Sequence, residues 1–552
     1  MNEPLRRVAL TFDDNFNPLS RSALSASDFT CRAMAVWPAR MPIPVIFIPG
    51  IMGSNLIDKQ DKPAWRPPNG GSEKIGELKA RVRQKPEERQ KQLNPETVKV
   101  WNRTESVKLG TDYPALDSAE AGRRYWGEVF ADGYLPFLRI LEDRLNYPFE
   151  DISGKNPDAP KRAPAWDETI AGDQPHPWTP ITGFEALTDG EFASRFGKVY
   201  FPVFACGYNW LKSNEDSADL VVKRVEEVIA RISKSCYFKK PEKVILVTHS
   251  MGGLVARRAA QKLGDKVLGV VHGVMPTEGA PVTYRRFKAG TEASWDGLGG
   301  WLGNLGAAAV LGWDAADITC VMANASGPLE LLPTKRYPPG WLKVTDGKKT
   351  IELPKASGNP YSDIYGRSTN ECWWGMVDPE LIDPAKLLPA LTKLKSHDFF
   401  LKNLEKAENF HDTIAGYCHD RTYAHYGDDP KQPSFVSVTW RTNGDLSSFT
   451  DEDVLTAQRG DVDLLGPTQA KIGKTSVRFK LEGKDGPGDG TVPAPSGHAV
   501  SDLDGIRTVF RLQGLKLEHA DSYKNSTVHN TVLYAIGKIA QHLPLNSDGT
   551  TG

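Results

Sequence analysis

The sequence predicts an α/β fold with a mostly parallel central sheet and a large inserted lid or cap region. Three observations carry that prediction. Short apolar runs at 43–48, 244–247 and 266–274 lack polar alternation, as strands buried on both faces do. Helical patterns separate them: Val221, Val225, Val228, Ile229 and Ile232 form one stripe within 216–232, and Leu254 to Ala260 reads as a second helix, so the runs are joined by parallel crossovers. Finally, 282–480 is too long for a connection within a compact domain and reads as a lid or cap.

Taken in order, residues 1–40 form a polar N-terminal arm without a strong period. The first part of the core covers 41–281 and contains a polar insertion at about 58–124. In that insertion, opposite charges alternate in helical spacing from Ser72 to Lys91, the pattern of a solvated helical face. Core signals return at Val199–Phe204, where Pro202 argues for an edge strand or a bulge. The segment Met275–Pro281 then opens onto the catalytic edge of the sheet. Within the cap, Gly297–Trp313 carries no charge but has six glycines in seventeen residues, so a buried or lid helix pair fits better than a membrane span. Such a surface could open to meet lipid. The C-terminal part of the core covers 481–545, with a helix over Ser526–His542, and 546–552 is a flexible Gly/Thr/Ser tail.

Composition excludes several classes. With 68 basic and 69 acidic residues in 552, the net charge of −1 argues against nucleic acid as a partner. Six scattered cysteines without a Cys-x-x-Cys pair suit reduced thiols, and no spacing suggests a metal or a cofactor. The opening Met-Asn-Glu-Pro-Leu-Arg-Arg lacks the apolar stretch of a Sec-type signal, so the expected location is the cytoplasm before export by another route.

Ser250 carries the chemistry. It falls in the sharp turn between the 244–247 strand and the following helix, where a hydroxyl is exposed and the helix N-terminus faces a developing oxyanion. The local pattern is Thr248-x-Ser250-x-Gly252, one residue short of G-x-S-x-G, and an ordinary turn serine is the competing reading. The strand at 43–48 runs into the glycine-bounded loop Pro49–Ser54, the form of an oxyanion hole. Far downstream, Asp489 sits in Gly488-Asp489-Gly490-Thr491-Val492-Pro493, and His519 follows in Leu517-Glu518-His519. Nucleophile, acid and histidine in that order are those of an α/β-hydrolase fold. His498 and His529 compete with His519, and Asp485, Asp502 and Asp504 compete with Asp489. His498 follows Asp489 too soon for a strand and return loop, while His529 lies inside the apparent helix. Backbone amides of Ile51 and Met251 are the candidate oxyanion donors. His249 is expected to pack or hydrogen-bond, and Tyr208 and Trp210 to belong to the core or to a substrate wall.

These pieces resemble the lecithin:cholesterol acyltransferase-like and phospholipase-like branch of the α/β-hydrolases. The resemblance rests on Ile48–Ser54, Gly207-Tyr208-Asn209-Trp210, His249–Gly253, Gly488–Pro493 and Glu518-His519, with a weaker sixth piece at Ser326–Pro333. The departures are Thr248 for the usual glycine and Asn209 where the family often has Asp. Large bacterial lipases, including antibacterial phospholipases delivered by type VI secretion, are similar in having this core with long insertions. The resemblance implies a serine hydrolase cleaving lipid acyl esters through an acyl-enzyme, as phospholipase A, lipase or acyltransferase. It implies a lipid or phospholipid substrate, transient contact with a membrane surface and, for a delivered toxin, an immunity protein and a secretion apparatus as partners. The alternatives are an esterase or thioesterase for a soluble substrate, and an inactive binding protein on the same fold.

Overall fold

The computed structural model describes residues 5–8, 10–20, 32–66, 84–109, 115–150, 161–170, 178–291, 312, 314–388, 392–462 and 467–543. The tail 546–552, the charged run 72–83 and all of 297–313 except Gly312 and its expected lid helices lie outside the described residues.

Seven strands make the central sheet: β1 (Val45–Ile48), β2 (Thr179–Pro180), β3 (Val203–Ala205), β4 (Val244–His249), β5 (Val267–Gly273), β6 (Thr422–Gly427) and β7 (Ile506–Leu512). Their order is β2-β7-β6-β5-β4-β1-β3. Every pairing is parallel except that of β2 on β7. All residues of β1, β4 and β5 are buried, because helices cover both faces of a parallel sheet. Helix α1 (Ala131–Asn146) precedes β2, α2 (Asn214–Ile232) leads into β4, and α3 (Gly252–Leu263) leads out of it. After β5 come α4 (Val282–Ala289) and α5 (Ser396–Ile414), and α6 (Ser526–Ala540) follows β7. The run at 199–204 splits at Pro202: Val199–Tyr200 pairs with Met41–Pro42, while β3 takes the sheet edge.

A second hydrophobic cluster, drawn from residues 284–479, surrounds a six-stranded sheet. Its middle is aromatic: Trp373 stacks on Phe479 at 4.1 Å and meets Trp440 edge-on at 5.4 Å. Two expectations need correction here. The span 282–480 is not one insertion, because β6 belongs to the central sheet. Its sequence, Thr-Tyr-Ala-His-Tyr-Gly, carries neither an apolar run nor strand alternation, yet all six residues are buried. Helix α5 marks the passage, with Phe400, Leu404 and Ala407 in the second cluster and Phe410 and Ile414 in the first. Nor is the helix at Pro86–Gln92 wholly solvated, since Arg89 and Gln90 are buried. Arg89 pairs with Asp317 at 3.2 Å, and the Gln90 amide donates to Asp383 at 2.8 Å and accepts from the Ala385 amide at 2.9 Å.

Candidate active site

Strand β4 ends at His249 and α3 begins at Gly252, so the chain turns through Ser250, whose φ is +51°. A non-glycine residue holds that conformation only when its surroundings dictate it. Here the Ser250 amide donates to the Gly273 carbonyl at 2.8 Å and the Gly253 amide to the Ser250 carbonyl at 2.8 Å. The turn is packed against the end of β1. A Cβ on Gly252 would lie 2.4 Å from the Pro49 carbonyl oxygen, and one on Gly50 would lie 2.8 Å from His249 Nδ1 and 2.9 Å from Ser250 Cβ. Glycine at both places is therefore a requirement of space.

Ser250 Oγ is 2.8 Å from His519 Nε2, and His519 Nδ1 is 2.7 Å from Asp489 Oδ2. The acid is itself fixed: Asp489 Oδ1 accepts from the amides of Thr491 at 3.0 Å and Val492 at 2.7 Å. The His519 amide donates to the Asp489 carbonyl at 2.9 Å, so the two loops hold each other. All three residues are buried, with Ser250 at 4%, Asp489 at 1% and His519 at 8% exposure, which strengthens every electrostatic contact among them.

The loop after β1 lies over this group. Tyr208 donates its hydroxyl to the Pro49 carbonyl at 3.0 Å, Trp65 donates to the Met52 carbonyl at 2.8 Å, and the Gly53 amide closes on the Gly50 carbonyl at 3.0 Å. Among the described residues, the amides of Ile51 and Met251 make no hydrogen bond. One belongs to the loop that touches Ser250 and the other begins the turn into α3. Beneath them, His249 Nδ1 meets the Tyr134 hydroxyl at 2.9 Å and His249 Nε2 meets the His519 carbonyl at 2.9 Å. Burial, helped by the neighbouring His519, pushes the His249 pKa down to about 3 and keeps the ring neutral. Among the described residues, no group of three His, Cys, Asp or Glu side chains forms a metal site.

Residues 204–295, from β3 through the serine turn to just beyond α4, match the family described as the PGAP1-like alpha/beta domain. A chain in the crystal structure of the Tle4–Tli4 complex is 30% identical to this one, with 91% of this chain and 99% of that chain covered and a TM-score of 0.73. The chain belongs to the lipase-like, type VI effector branch of the α/β-hydrolases. No curated protein sequence matches it.

As a hydrolase of the lipase and esterase type, this branch member departs from the usual motifs at two places, and local geometry accounts for both. Thr248 is buried opposite His272 on β5, with its Oγ1 3.0 Å from His272 Nδ1, while its carbonyl accepts from the Tyr523 hydroxyl at 2.7 Å. Its side chain thus points to the adjacent strand rather than to the β1–α3 contact that Gly252 must fit. Asn209 donates to the carbonyls of Pro95 at 3.1 Å and Val98 at 3.2 Å, which an ionised Asp could not do. The competing residues lie elsewhere. His498 is exposed and bonded to Tyr426 at 3.1 Å, His529 Nε2 is 2.7 Å from the Tyr523 carbonyl, and Asp485 accepts from the amides of Val436 and Ser437. Tyr208 and Trp210 are both fully buried, Trp210 meeting Trp65 edge-on at 5.2 Å, which places them in the core under the loop rather than on a pocket wall. In the Ser326–Pro333 segment, Glu330 accepts from Ser213 Oγ at 2.6 Å and the Asn214 amide at 2.7 Å, capping α2. Sequence reasoning missed Tyr134 altogether, because one tyrosine 84 positions beyond Gly50 within an amphipathic helix carries no local signal.

Proposed function

We propose that this protein cleaves lipid acyl esters, as a phospholipase A or lipase, through an acyl-enzyme on Ser250. The observation that carries the reading is the continuous line from Ser250 Oγ through the His519 ring to Asp489, with links of 2.8 and 2.7 Å, at the N-terminus of α3. Ser250 Oγ attacks the acyl carbonyl while His519 Nε2 takes its proton. Asp489 holds the imidazole with Nδ1–H toward its carboxylate and stabilises the imidazolium that forms. The oxyanion is held by the amides of Ile51 and Met251, aided by the partial positive charge at the start of α3. When the tetrahedral species collapses, His519 returns the proton to the leaving alcohol oxygen and the acyl group stays on Ser250. A water molecule, deprotonated by His519, then attacks the ester carbon, and the released fatty acid leaves Ser250 protonated again. An alcohol in place of water would make the same steps an acyl transfer.

A lipid substrate is supported by the lipase-like branch to which the chain belongs and by the near-complete burial of Ser250, which calls for an apolar interface to open access. The likeness to a chain of the Tle4–Tli4 complex supports delivery as an antibacterial effector and a cognate immunity protein as partner. On this reading the protein is made in the cytoplasm, exported from it, and meets a membrane surface only transiently.

The decisive experiment compares wild type with Ser250→Ala on phospholipid and neutral-lipid esters, above and below substrate aggregation. Fatty acid released by wild type alone, rising on aggregation, is the expected result, and the lysolipid isomer names the bond. Equal rates in both proteins would overturn the serine mechanism. Hydrolysis indifferent to aggregation would move the substrate to soluble esters.

A further inference from the structure

Beneath the reacting atoms runs a chain of hydrogen bonds whose direction has only one solution. The Gly50 amide lies 3.3 Å from Tyr134 Oη, Tyr134 Oη lies 2.9 Å from His249 Nδ1, and His249 Nε2 lies 2.9 Å from the His519 carbonyl oxygen. An amide can only donate and a carbonyl can only accept. The Tyr134 hydroxyl must therefore accept from Gly50 and donate to Nδ1, and His249 must carry its single proton on Nε2. Every donor and acceptor along the line is then satisfied in a space where an orphan would be costly, since Tyr134 and His249 are each 4% exposed. The tyrosine comes from α1, and its ring is wedged against Phe47 at 4.9 Å and edge-on to His249 at 5.5 Å.

We propose that Tyr134 and His249 are positioning residues, a fixed relay that locks the loop after β1, the Ser250 turn and the His519 loop into one register. The inference deepens the serine-hydrolase reading and rests on it. Gly50 immediately precedes Ile51, so its bond to Tyr134 sets where the Ile51 amide lies. At the other end, the His519 backbone is held on both sides: its amide donates to the Asp489 carbonyl at 2.9 Å and its carbonyl accepts from His249. Only the ring is left to move protons, and its distance from Ser250 Oγ depends on those two anchors. Neutrality of His249 matters for the same reason, because a second proton on Nδ1 would face the Tyr134 hydroxyl and reverse one link of the line.

Relay and mere core filling separate in the rate at which a fluorophosphonate labels Ser250, a readout independent of which lipid is the substrate. It is measured for wild type, Tyr134→Phe, His249→Asn and His249→Gln, together with kcat and KM on the best ester and the melting temperature. Tyr134→Phe keeps the ring packing and loses one link; labelling is expected to slow about tenfold. His249→Asn leaves nothing at the Nε2 position and is expected to slow labelling about 10²-fold, the scale of an ångström-level misplacement. His249→Gln carries an amide nitrogen near the old Nε2 position and is expected to recover at least about fivefold over Asn, with KM within about twofold throughout. Wild-type labelling rates in both Tyr134→Phe and His249→Asn would overturn the relay and leave the serine mechanism standing. So would a Gln variant no faster than Asn, with losses that follow melting temperature alone. A wild-type protein that never labels would overturn the serine mechanism and the relay with it.

Discussion

Around Ser250, buried polar groups are connected to one another, whereas the second cluster, built from 284–479, closes around aromatic rings. On the Ser250 side, Arg224 makes a two-pronged ion pair with Glu128 at 2.9 and 3.0 Å, and the same carboxylate accepts from the Gly207 amide at 2.9 Å, beside Tyr208 and its bond to Pro49. Arg124, fully buried, joins Glu120 and Glu142 at 2.9 Å each. On the cap side the counterpart is the Trp373, Trp440 and Phe479 group. Directional networks specify one geometry and tolerate little error, while apolar packing stabilises without dictating a single arrangement. Met52 packs against both clusters, so the loop that carries the Ile51 amide, one of the two proposed oxyanion donors, is also where the two regions meet.

The largest effect should come from the cap. Trp373→Ala removes a fully buried ring and is expected to cost about 3–5 kcal/mol. If the two regions are held independently, the loss shows as an earlier unfolding step of the cap while fluorophosphonate labelling of Ser250 survives below that step. Labelling that collapses in parallel would break the comparison and make the two clusters one cooperative unit.

Gly252→Ala tests the rigid side. Its new Cβ would press on the Pro49 and Ile48 carbonyl oxygens at 2.4 and 2.6 Å, backbone atoms that cannot turn aside. Overpacking of this kind costs about 1–3 kcal/mol, and hydrolysis should fall by more than about 10²-fold because the shift moves the nucleophile against the oxyanion loop. A variant with more than a tenth of wild-type activity would show that this junction has slack.

Where sequence reasoning succeeded and failed follows the same division. β4, β5, α2, α3 and α6 were readable because both faces or one full stripe are apolar, and Ser250 and Asp489 stood out in glycine-flanked turns, whereas His519 was singled out by its place after them in the chain. The central strand β6 was not: Thr-Tyr-Ala-His-Tyr-Gly shows neither an apolar run nor alternation, and its burial comes from β5 and β7, far away in the chain. Tyr134 was equally hidden, since its meaning lies in Gly50 and His249 and not in its own surroundings. Arg89 and Gln90 read as a solvated face until their partners at 317 and 383–385 were in view.

Acid should weaken the Ser250 side more than the cap. Burial pushes the pKa of His249, His272 and His425 down to about 3, and that of His411 in α5 down to about 4. Depressed folded values mean that the unfolded chain takes the protons first. The histidine contribution is thus fully present above about pH 6.5 and is lost as pH falls toward those values, at about 1 kcal/mol per histidine by pH 5.5. Buried carboxyls such as Glu330, raised by burial, pull the other way. The clean measurement is therefore a difference: denaturation midpoints of wild type and His425→Gln at pH 7.5 and 5.5. The variant should lose less stability on acidification, and equal losses would mean that His425 does not stay neutral in the folded protein.

The smallest expected change is at Thr248, and it asks what that position needs. If the family's glycine reflects a need for smallness, Thr248→Gly should be at least as active and as stable as wild type. If the need is the bond between Thr248 Oγ1 and His272 Nδ1, at 3.0 Å between fully buried partners, the order reverses. Thr248→Ser keeps the hydroxyl and loses one buried methyl, which costs under about 1 kcal/mol, with hydrolysis within about twofold of wild type. Thr248→Gly loses the bond, leaves His272 Nδ1 unsatisfied and frees the strand backbone, so it should be the less stable of the two. Thermal melts of both variants decide it. A glycine variant that melts above the serine variant would make the hydroxyl dispensable and return the position to a question of space, which the contact of Gly252 with β1 already answers on the other side of the turn.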